Sequence, residues 1–372
     1  MSITTNMQRK SGSGEDSGAR SRRVRAARTR ARRSGFDWRL KLIIGVLFVA
    51  LAIFGWVSAS NLFPPLPWNR IPPTATPAPG GSVALFVEPE DGIGPVLDEI
   101  TGAKQSVDVE VYILSDERII SALEQAAKRG VAVRVMLEEH PFGGPGTEKQ
   151  VKARLDAAGV ETNWSNPVFR FSHIKMIIID NRTALILSLN LSRSAFTGNR
   201  DFGAITSRAA EVTQARAIFT ADWTRTEAPD GPLVVSPTDS RAQLLAMIDH
   251  AQHTLDVYAE VMRDREIIDA LKRAAGRGVT VRLVMSAQTI EGGAERQELA
   301  AAGVQPRIVD NPYIHAKMVL ADGEHAFIGS QNFTSTSLDQ NREVGIILTD
   351  VTNLHRLQRV FDDDFAAGLE EH

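Results

Sequence analysis

Two histidines, each followed two residues later by a lysine, recur 142 residues apart: His173-Ile174-Lys175 and His315-Ala316-Lys317. Matched polar residues follow each pair. Ser188 and Ser330 lie 15 residues after their histidine, Asn190 and Asn332 lie 17 after it, and Asp201 and Glu343 lie 28 after it. They stand in otherwise apolar stretches, where burying a polar group is costly unless it is paired. A lone histidine on a strand is usually a satisfied core or surface residue; four polar classes repeated at identical spacing are a different matter. The set suits transfer at an anionic phosphorus centre. Lysines and asparagines offset charge on non-bridging oxygens. Of two such imidazoles one could attack phosphorus while the other moves protons, and a carboxylate could fix a ring's tautomer.

The elements that must hold these residues read as strand, turn, strand. In FSHIKMIIIDNRTALILSLN, Asp180-Asn181 is the turn; in the second copy Asp322-Gly323 plays that part, and Asp-Gly is a strong hairpin signal. His and Lys two apart on a strand point to the same face. Asp180 and Asp322 are read as structural, holding the hairpin or neighbouring cations.

The hairpins belong to a module written twice. AAKRGVAVRVML (126–137) matches AAGRGVTVRLVM (274–285), LDAAGV (155–160) matches LAAAGV (299–304), and VEPEDG (87–92) matches VSPTDS (235–240). A period near 145 residues signals a duplicated domain rather than a solenoid. Each copy alternates short apolar strands with helices, one of which ends in Arg-Gly (Arg129-Gly130; Arg277-Gly278), where glycine serves as a C-terminal cap. That order predicts an α/β layered fold with the two sheets side by side. Trp223 and Phe365, ending corresponding helices, are expected core anchors.

With these residues in view, the chain resembles the phospholipase D superfamily, cardiolipin synthase-like and of bacterial type, whose pattern H-x-K-x4-D is followed by x6-G-S-x-N. Copy two matches through His315, Lys317, Asp322, Gly329, Ser330 and Asn332. Copy one matches through His173, Lys175, Asp180, Ser188 and Asn190, with Leu187 in place of the glycine. The resemblance covers residues 82–372. It implies two duplicated α-β-α sandwich lobes, 82–228 and 229–372, with mixed sheets packed by pseudo-twofold symmetry and an active site formed within one chain. It also implies an acidic partner for the histidine, fitted by Glu343 and, in copy one, by the shorter Asp201. A covalent phosphohistidine would form on the first histidine, His173, with His315 as acid and base.

The remaining composition narrows the classes. With no cysteine, disulfides, thiolate zinc sites and a cysteine nucleophile are excluded. No H-E-x-x-H spacing and no Gly-rich nucleotide loop occurs, so neither a metal nor a cofactor is expected. His140, His250, His253, His325, His355 and His372 lack any paired context.

The first eighty residues read as an address. Residues 1–41 carry 12 Lys/Arg against three acids, which leaves 30 basic and 42 acidic residues in 42–372. The uncharged stretch 42–61, LIIGVLFVALAIFGWVSASN, is about as long as a membrane-crossing helix requires. The basic tail places the N-terminus in the cytoplasm and the body outside. A cleaved signal peptide with Val57-Ser58-Ala59 as its cleavage site is the alternative. Residues 62–81 are proline-rich and read as an extended linker.

The resemblance names the bond class, not the molecule. Tethering to a bilayer and the net −12 of residues 42–372 favour a phospholipid over a nucleic acid, whose binding depends on Lys/Arg. The expected function is a phospholipase D-type hydrolase or phosphatidyltransferase acting without metal. A membrane-anchored nuclease is the alternative, followed by a catalytically weak lipid-binding scaffold, to which Leu187 and Asp201 point.

Overall fold

The computed structural model describes residues 81–286 and 293–370. The tail at 1–41, the span at 42–61 and the linker at 62–81, Gly81 apart, lie outside the described residues. Among the described residues no helix is long and apolar enough to cross a membrane.

The chain forms an α/β fold with two mixed sheets. The first repeat comprises β1 (Val83–Glu88), α1 (Gly94–Gly102), β2 (Ser106–Val111), α2 (Glu117–Lys128), β3 (Ala132–Leu137), α3 (Glu148–Ala157), β4 (Glu161–Trp164), β5 (Lys175–Ile179), β6 (Thr183–Leu187), α4 (Arg193–Thr197), β7 (Asn199–Thr206) and α5 (Ala209–Thr224). The second comprises β8 (Val234–Ser236), α6 (Ser240–His250), β9 (Thr254–Tyr258), α7 (Arg265–Gly276), β10 (Thr280–Ser286), α8 (Gly293–Ala301), β11 (Gln305–Val309), β12 (Tyr313–Ile314), β13 (Met318–Ala321), β14 (His325–Gly329), α9 (Ser335–Asp339), β15 (Glu343–Leu348), α10 (Val351–Ala367) and β16 (Leu369–Glu370). The strand order β1-β7-β6-β5-β2-β3-β4 of the first sheet repeats in the second as β8-β15-β14-β13-β9-β10-β11, with β16 added at the edge. In each sheet the helix-connected strands pair in parallel and the hairpin strands antiparallel.

Local sequence explains the elements. Asp116 caps α2 by accepting from Arg118 N at 2.9 Å, and Asp264 caps α7 by accepting from Ile267 N at 3.1 Å. Each helix buries one apolar stripe, Ile119, Ile120, Leu123 and Ala126 in α2 and Ile267, Ile268, Leu271 and Ala274 in α7. Full burial of an isoleucine or leucine contributes roughly 1.5–3 kcal/mol, so these stripes outweigh the helices' intrinsic preference. Both helices stop where Gly130 (φ 86°) and Gly278 (φ 92°) turn into the left-handed region.

Three apolar cores result. One lies under α1 to α4 in the first lobe and one under α6 to α9 in the second. The third is shared: Met176, Ile178 and Ile186 of one sheet meet Met318, Ile328 and Ile346 of the other, together with Phe219 of α5 and Phe361 of α10. Trp223 and Phe365 pack half-buried against it.

The lobes also exchange polar groups across this junction. Arg342 Nε donates to Asp222 of α5 at 2.8 Å, and Arg200 Nε donates to Asp364 of α10 at 2.7 Å. Backbone crosses as well. β12 of the second lobe pairs in parallel with the start of β7, and Ser172 of the first lobe bridges to Arg342.

Candidate active site

The hairpin turns come first, because they set the register of everything above them. Asp180 and Asp322 adopt positive φ (51° and 52°). Asp180 accepts from the backbone N–H groups of Lys104, Gln105 and Ser106 at 2.6–3.1 Å, and Asp322 from those of Gln252, His253 and Thr254 at 2.7–2.8 Å. Burial pushes both carboxyls up, but these donors win and hold them below the usual carboxylate range. Each aspartate thereby pins the start of the central strand, β2 or β9, at the end of the hairpin away from the histidines.

The candidate reacting groups sit at or just before the start of the regular strands rather than within them. β5 begins at Lys175 and β13 at Met318, so His173, His315 and Lys317 lie in the approach to each hairpin. The reason is that this approach pairs with the other lobe. His173 N donates to Arg342 O at 2.8 Å, and Ala316 N donates to Arg200 O at 2.9 Å. Each histidine is therefore laid against the strand that carries the opposite lobe's carboxylate.

The carboxylates are exchanged accordingly. His173 Nδ1 lies 2.8 Å from Glu343 Oε2, and His315 Nδ1 lies 2.9 Å from Asp201 Oδ1. Spacing along the chain groups each carboxylate with its own lobe's histidine, but in the fold it lies behind the other lobe's ring. With Nδ1 engaged, Nε2 of each ring is the atom left for chemistry. The side chains of His173 and His315 are 12% and 10% exposed, while both carboxylates are fully buried. Glu343 also accepts from Ser337 Oγ and from Asn341 Nδ2 at 3.0 Å. Burial drives the Glu343 carboxyl up, but His173 and its other neighbours hold it below its ordinary range. Asp201 has Ser188 Oγ at 2.6 Å and, paired across the β1–β7 ladder, the fully buried Glu88. Burial pushes the Glu88 carboxyl up to about 8; a Gly92 N–H opposes the rise, and Asp201 adds to it. In the second lobe Ser236 occupies that ladder position, opposite Glu343.

The two lysines are buried and differently partnered. Lys175 Nζ donates to His173 O at 2.8 Å and stands 5.1 Å from the centre of the Tyr112 ring. That ring also meets His173 edge-on at 4.5 Å. Burial pulls the Lys175 ammonium down to about 7, with Glu343 opposing the fall and Lys317 adding to it. Burial likewise lowers His173, and the Lys175 charge adds to the effect. Lys317 Nζ instead donates to Glu260 Oε2 at 2.6 Å and also to His315 O. Glu260 Oε2 lies 3.8 Å from His315 Nε2, and its Oε1 accepts from Tyr313 Oη at 3.2 Å. Burial pushes Glu260 up, but Lys317 and His315 overcome it and leave the carboxyl well below its ordinary range. The charges of His173, Lys175, His315, Lys317 and Glu260 thus act on one another as one cluster.

Glu260 and Tyr112 were not singled out from sequence. Both lie just after the central strand, in TLDVYAE and SVDVEVY, at the same place in the repeat. A search for recurring residue types passes over a position where the types differ.

The remaining motif residues divide between site and scaffold. Asn190 and Asn332 are half-buried, and their buried Oδ1 atoms have no hydrogen-bond partner among the described residues. Ser188 Oγ accepts from Phe202 N at 2.9 Å, and Ser330 Oγ from Val344 N at 3.1 Å, so each ties its hairpin to the carboxylate strand. Leu187 and Leu189 face the outer core of the first lobe. At the matching places the second lobe has Gly329 and Gln331, and a Cβ on Gly329 would strike Gln331 Oε1 and come within 2.6 Å of Gly345 Cα. The leucine is one half of a compensated pair in the core, and Asp201 reaches its histidine. Neither departure gives the scaffold reading support.

Comparison with known proteins shows the family of the chain. The family model described as cardiolipin synthase, PLD-like domain, matches twice, at residues 96–223 and 244–365, once in each lobe. The chain belongs to the phospholipase D superfamily. Among relatives in this superfamily, a cardiolipin synthase of Geobacillus kaustophilus is 28% identical over 335 residues, covering 76% of this chain and 66% of that protein. Cardiolipin synthase 2 of Bacillus anthracis is 27% identical over 327 residues, covering 74% of this chain and 63% of that protein. The chain therefore spans just under two thirds of the length of these relatives. Among solved structures, phosphatidylserine synthase from Haemophilus influenzae Rd KW20 superposes with a TM-score of 0.61 at 11% identity, covering 78% of this chain and 87% of that one. A polyphosphate kinase from Porphyromonas gingivalis gives 0.61 at 17% identity, covering 76% and 50%.

Proposed function

We propose that this chain is a phosphatidyltransferase of phospholipase D type, moving the phosphatidyl group of a phospholipid from one alcohol to another through a phosphohistidine. The observation that carries the reading is the exchanged pair of dyads, His173–Glu343 and His315–Asp201, in one cluster with two buried lysines. In the first half-reaction His173 Nε2 attacks phosphorus. The bond to the headgroup oxygen breaks as His315 Nε2 delivers its proton there. In the second, an incoming alcohol gives its proton to His315 Nε2 and its oxygen bonds phosphorus, while the P–N bond returns its electrons to His173. Lys175, Lys317, Asn190 and Asn332 offset charge on the non-bridging oxygens, a role of the kind worth about 3–4 kcal/mol per donor in other enzymes. His173 suits the nucleophile because its lowered proton affinity keeps the ring neutral. No metal takes part in this scheme.

The relatives named for cardiolipin synthesis support a lipid substrate. So does the acidic body, which is poorly matched to a polyanionic nucleic acid. In this reading residues 42–61 anchor the chain, with the catalytic body on the extracytoplasmic side.

The test uses the full chain in vesicles of phosphatidylglycerol, with a chelator present. Release of glycerol together with a lipid containing two phosphatidyl groups is the expected result. Water-only products would reduce the reading to a hydrolase. Cleavage of single-stranded DNA with no lipid turnover would overturn it in favour of the nuclease.

A further inference from the structure

The reaction above leaves Glu260 without a task, although its carboxylate lies inside the cluster. A second anion beside a phosphate-binding lysine repels the substrate, so its presence there needs a counterweight. The geometry supplies one. Glu260 Oε2 is 3.8 Å from His315 Nε2, the nitrogen that exchanges a proton with the alcohol in both half-reactions. An alcohol oxygen hydrogen-bonded to that nitrogen lies about 3 Å from it, which brings a substituent on the neighbouring carbon within reach of Glu260. Oε2 already holds Lys317 and Oε1 holds Tyr313, but each carboxylate oxygen has a second lone pair to offer. The side chain is 18% exposed, so a small molecule can approach it.

The neighbours decide which donor fits. An ammonium group there would meet Lys317, paired with this same carboxylate, and Lys175 nearby. A neutral hydroxyl meets no such repulsion. Tyr112 holds the corresponding place in the first lobe and offers no carboxylate, so this recognition belongs to the His315 side alone.

We propose that Glu260 is a specificity-determining residue that accepts a hydrogen bond from a second hydroxyl of the departing or incoming alcohol, so that the site favours polyols over simple alcohols and amino alcohols. The inference rests on the transfer reading and adds what kind of alcohol is transferred. In the accepting step the reacting hydroxyl still loses its proton to His315 Nε2 and still displaces His173 from phosphorus. Glu260 only orients the alcohol through its neighbouring hydroxyl.

The test avoids lipid. The full chain is given bis(4-nitrophenyl) phosphate with equal concentrations of glycerol, 1-propanol and ethanolamine, and the mixed diesters are quantified. The expected result is a glycerol product at least ten times the propanol or ethanolamine product. Glu260→Ala is expected to compress that ratio below threefold, and Glu260→Gln, which keeps the side-chain volume if the alanine variant folds poorly, to an intermediate value. A wild-type chain that transfers without preferring glycerol overturns the inference alone. So does a variant in which all three products fall together at an unchanged ratio, for Glu260 would then serve only to hold Lys317. A wild-type chain that cleaves the diester but never forms a mixed product sinks the transfer reading and this inference with it.

Discussion

Lys175 leans on the ring of Tyr112, whereas Lys317 is bonded to Glu260, and the proposed division of labour between the two lobes turns on that one difference. The first lobe surrounds its histidine with an aromatic ring and an ammonium of weakened basicity, surroundings that keep an imidazole neutral. The second surrounds its histidine with Asp201 behind the ring and Glu260 before it. The duplicated scaffold is nearly symmetric and the surroundings of its two lysines are not, and the proposed scheme puts the nucleophile on the Tyr112 side and the acid on the Glu260 side.

The largest effects should come from breaking that division outright. His173→Ala and His315→Ala are each expected to lower kcat/KM for phosphodiester transfer by at least about 10³-fold. With an aryl diester, whose leaving group needs little protonation, a labelled phospho-enzyme should still form in the His315 variant and vanish in the His173 variant. Loss of the adduct in the His315 variant alone would exchange the roles of the lobes.

Next in size is the test of the exchanged dyads. Glu343→Gln and Asp201→Asn should each reduce the rate about 10- to 100-fold, since a misdirected tautomer weakens general acid–base catalysis. Their spectroscopic signatures should cross. Glu343→Gln should move the Nδ1–H proton resonance of His173 and leave that of His315, with Asp201→Asn doing the reverse. Shifts confined to each residue's own lobe would contradict the exchange.

A smaller effect follows from Lys175. Its ammonium is charged below about pH 7 and neutral above. Phosphate stabilisation by the first lobe should therefore fade as pH rises through about 7, costing roughly tenfold in rate between pH 6 and 8. Lys175→Arg, which keeps its charge, should remove that limb. A persistent limb would assign it elsewhere. The sign for stability is opposite. From about 7 up to its unfolded value, Lys175 holds fewer protons when folded than when unfolded, so its contribution to stability improves as pH rises across that window.

The smallest effect compares Glu88 with its counterpart Ser236. Folded, Glu88 keeps its proton to about pH 8; unfolded, it loses it near 4.5. Between those values the folded state holds the extra proton, so stability falls as pH rises. Glu88→Gln should remove the slope and stabilise the protein by about 1 kcal/mol at pH 8, read as a higher Tm. An unchanged pH dependence of Tm would show that Glu88 does not titrate this way.

Much of this was legible in the amino acids themselves. Hairpins announced themselves through Asp180-Asn181 and Asp322-Gly323, and the α/β order through apolar periodicity and the Arg-Gly helix ends. Three things were hidden, each for a physical reason. The partner of each histidine depends on Arg200 and Arg342 pairing with the opposite lobe, a contact between segments over a hundred residues apart that leaves no local pattern. Glu260 and Tyr112 do their work by differing, so repetition could not reveal them. Leu187 reads as damage to a motif until Leu189, replacing Gln331 beside it, shows that a core was repacked.

The exchanged strands also bear on how the chain comes to life. When the first lobe emerges and folds, His173 is present but the residue that steadies it lies 170 positions further on. The second lobe is no better placed alone, for its own ring waits on Asp201. Neither half, cut at the connection between α5 and β8, owns a finished centre, yet each owns what the other lacks. In the proposed reaction, chemistry at either histidine therefore waits until both lobes have been made and docked.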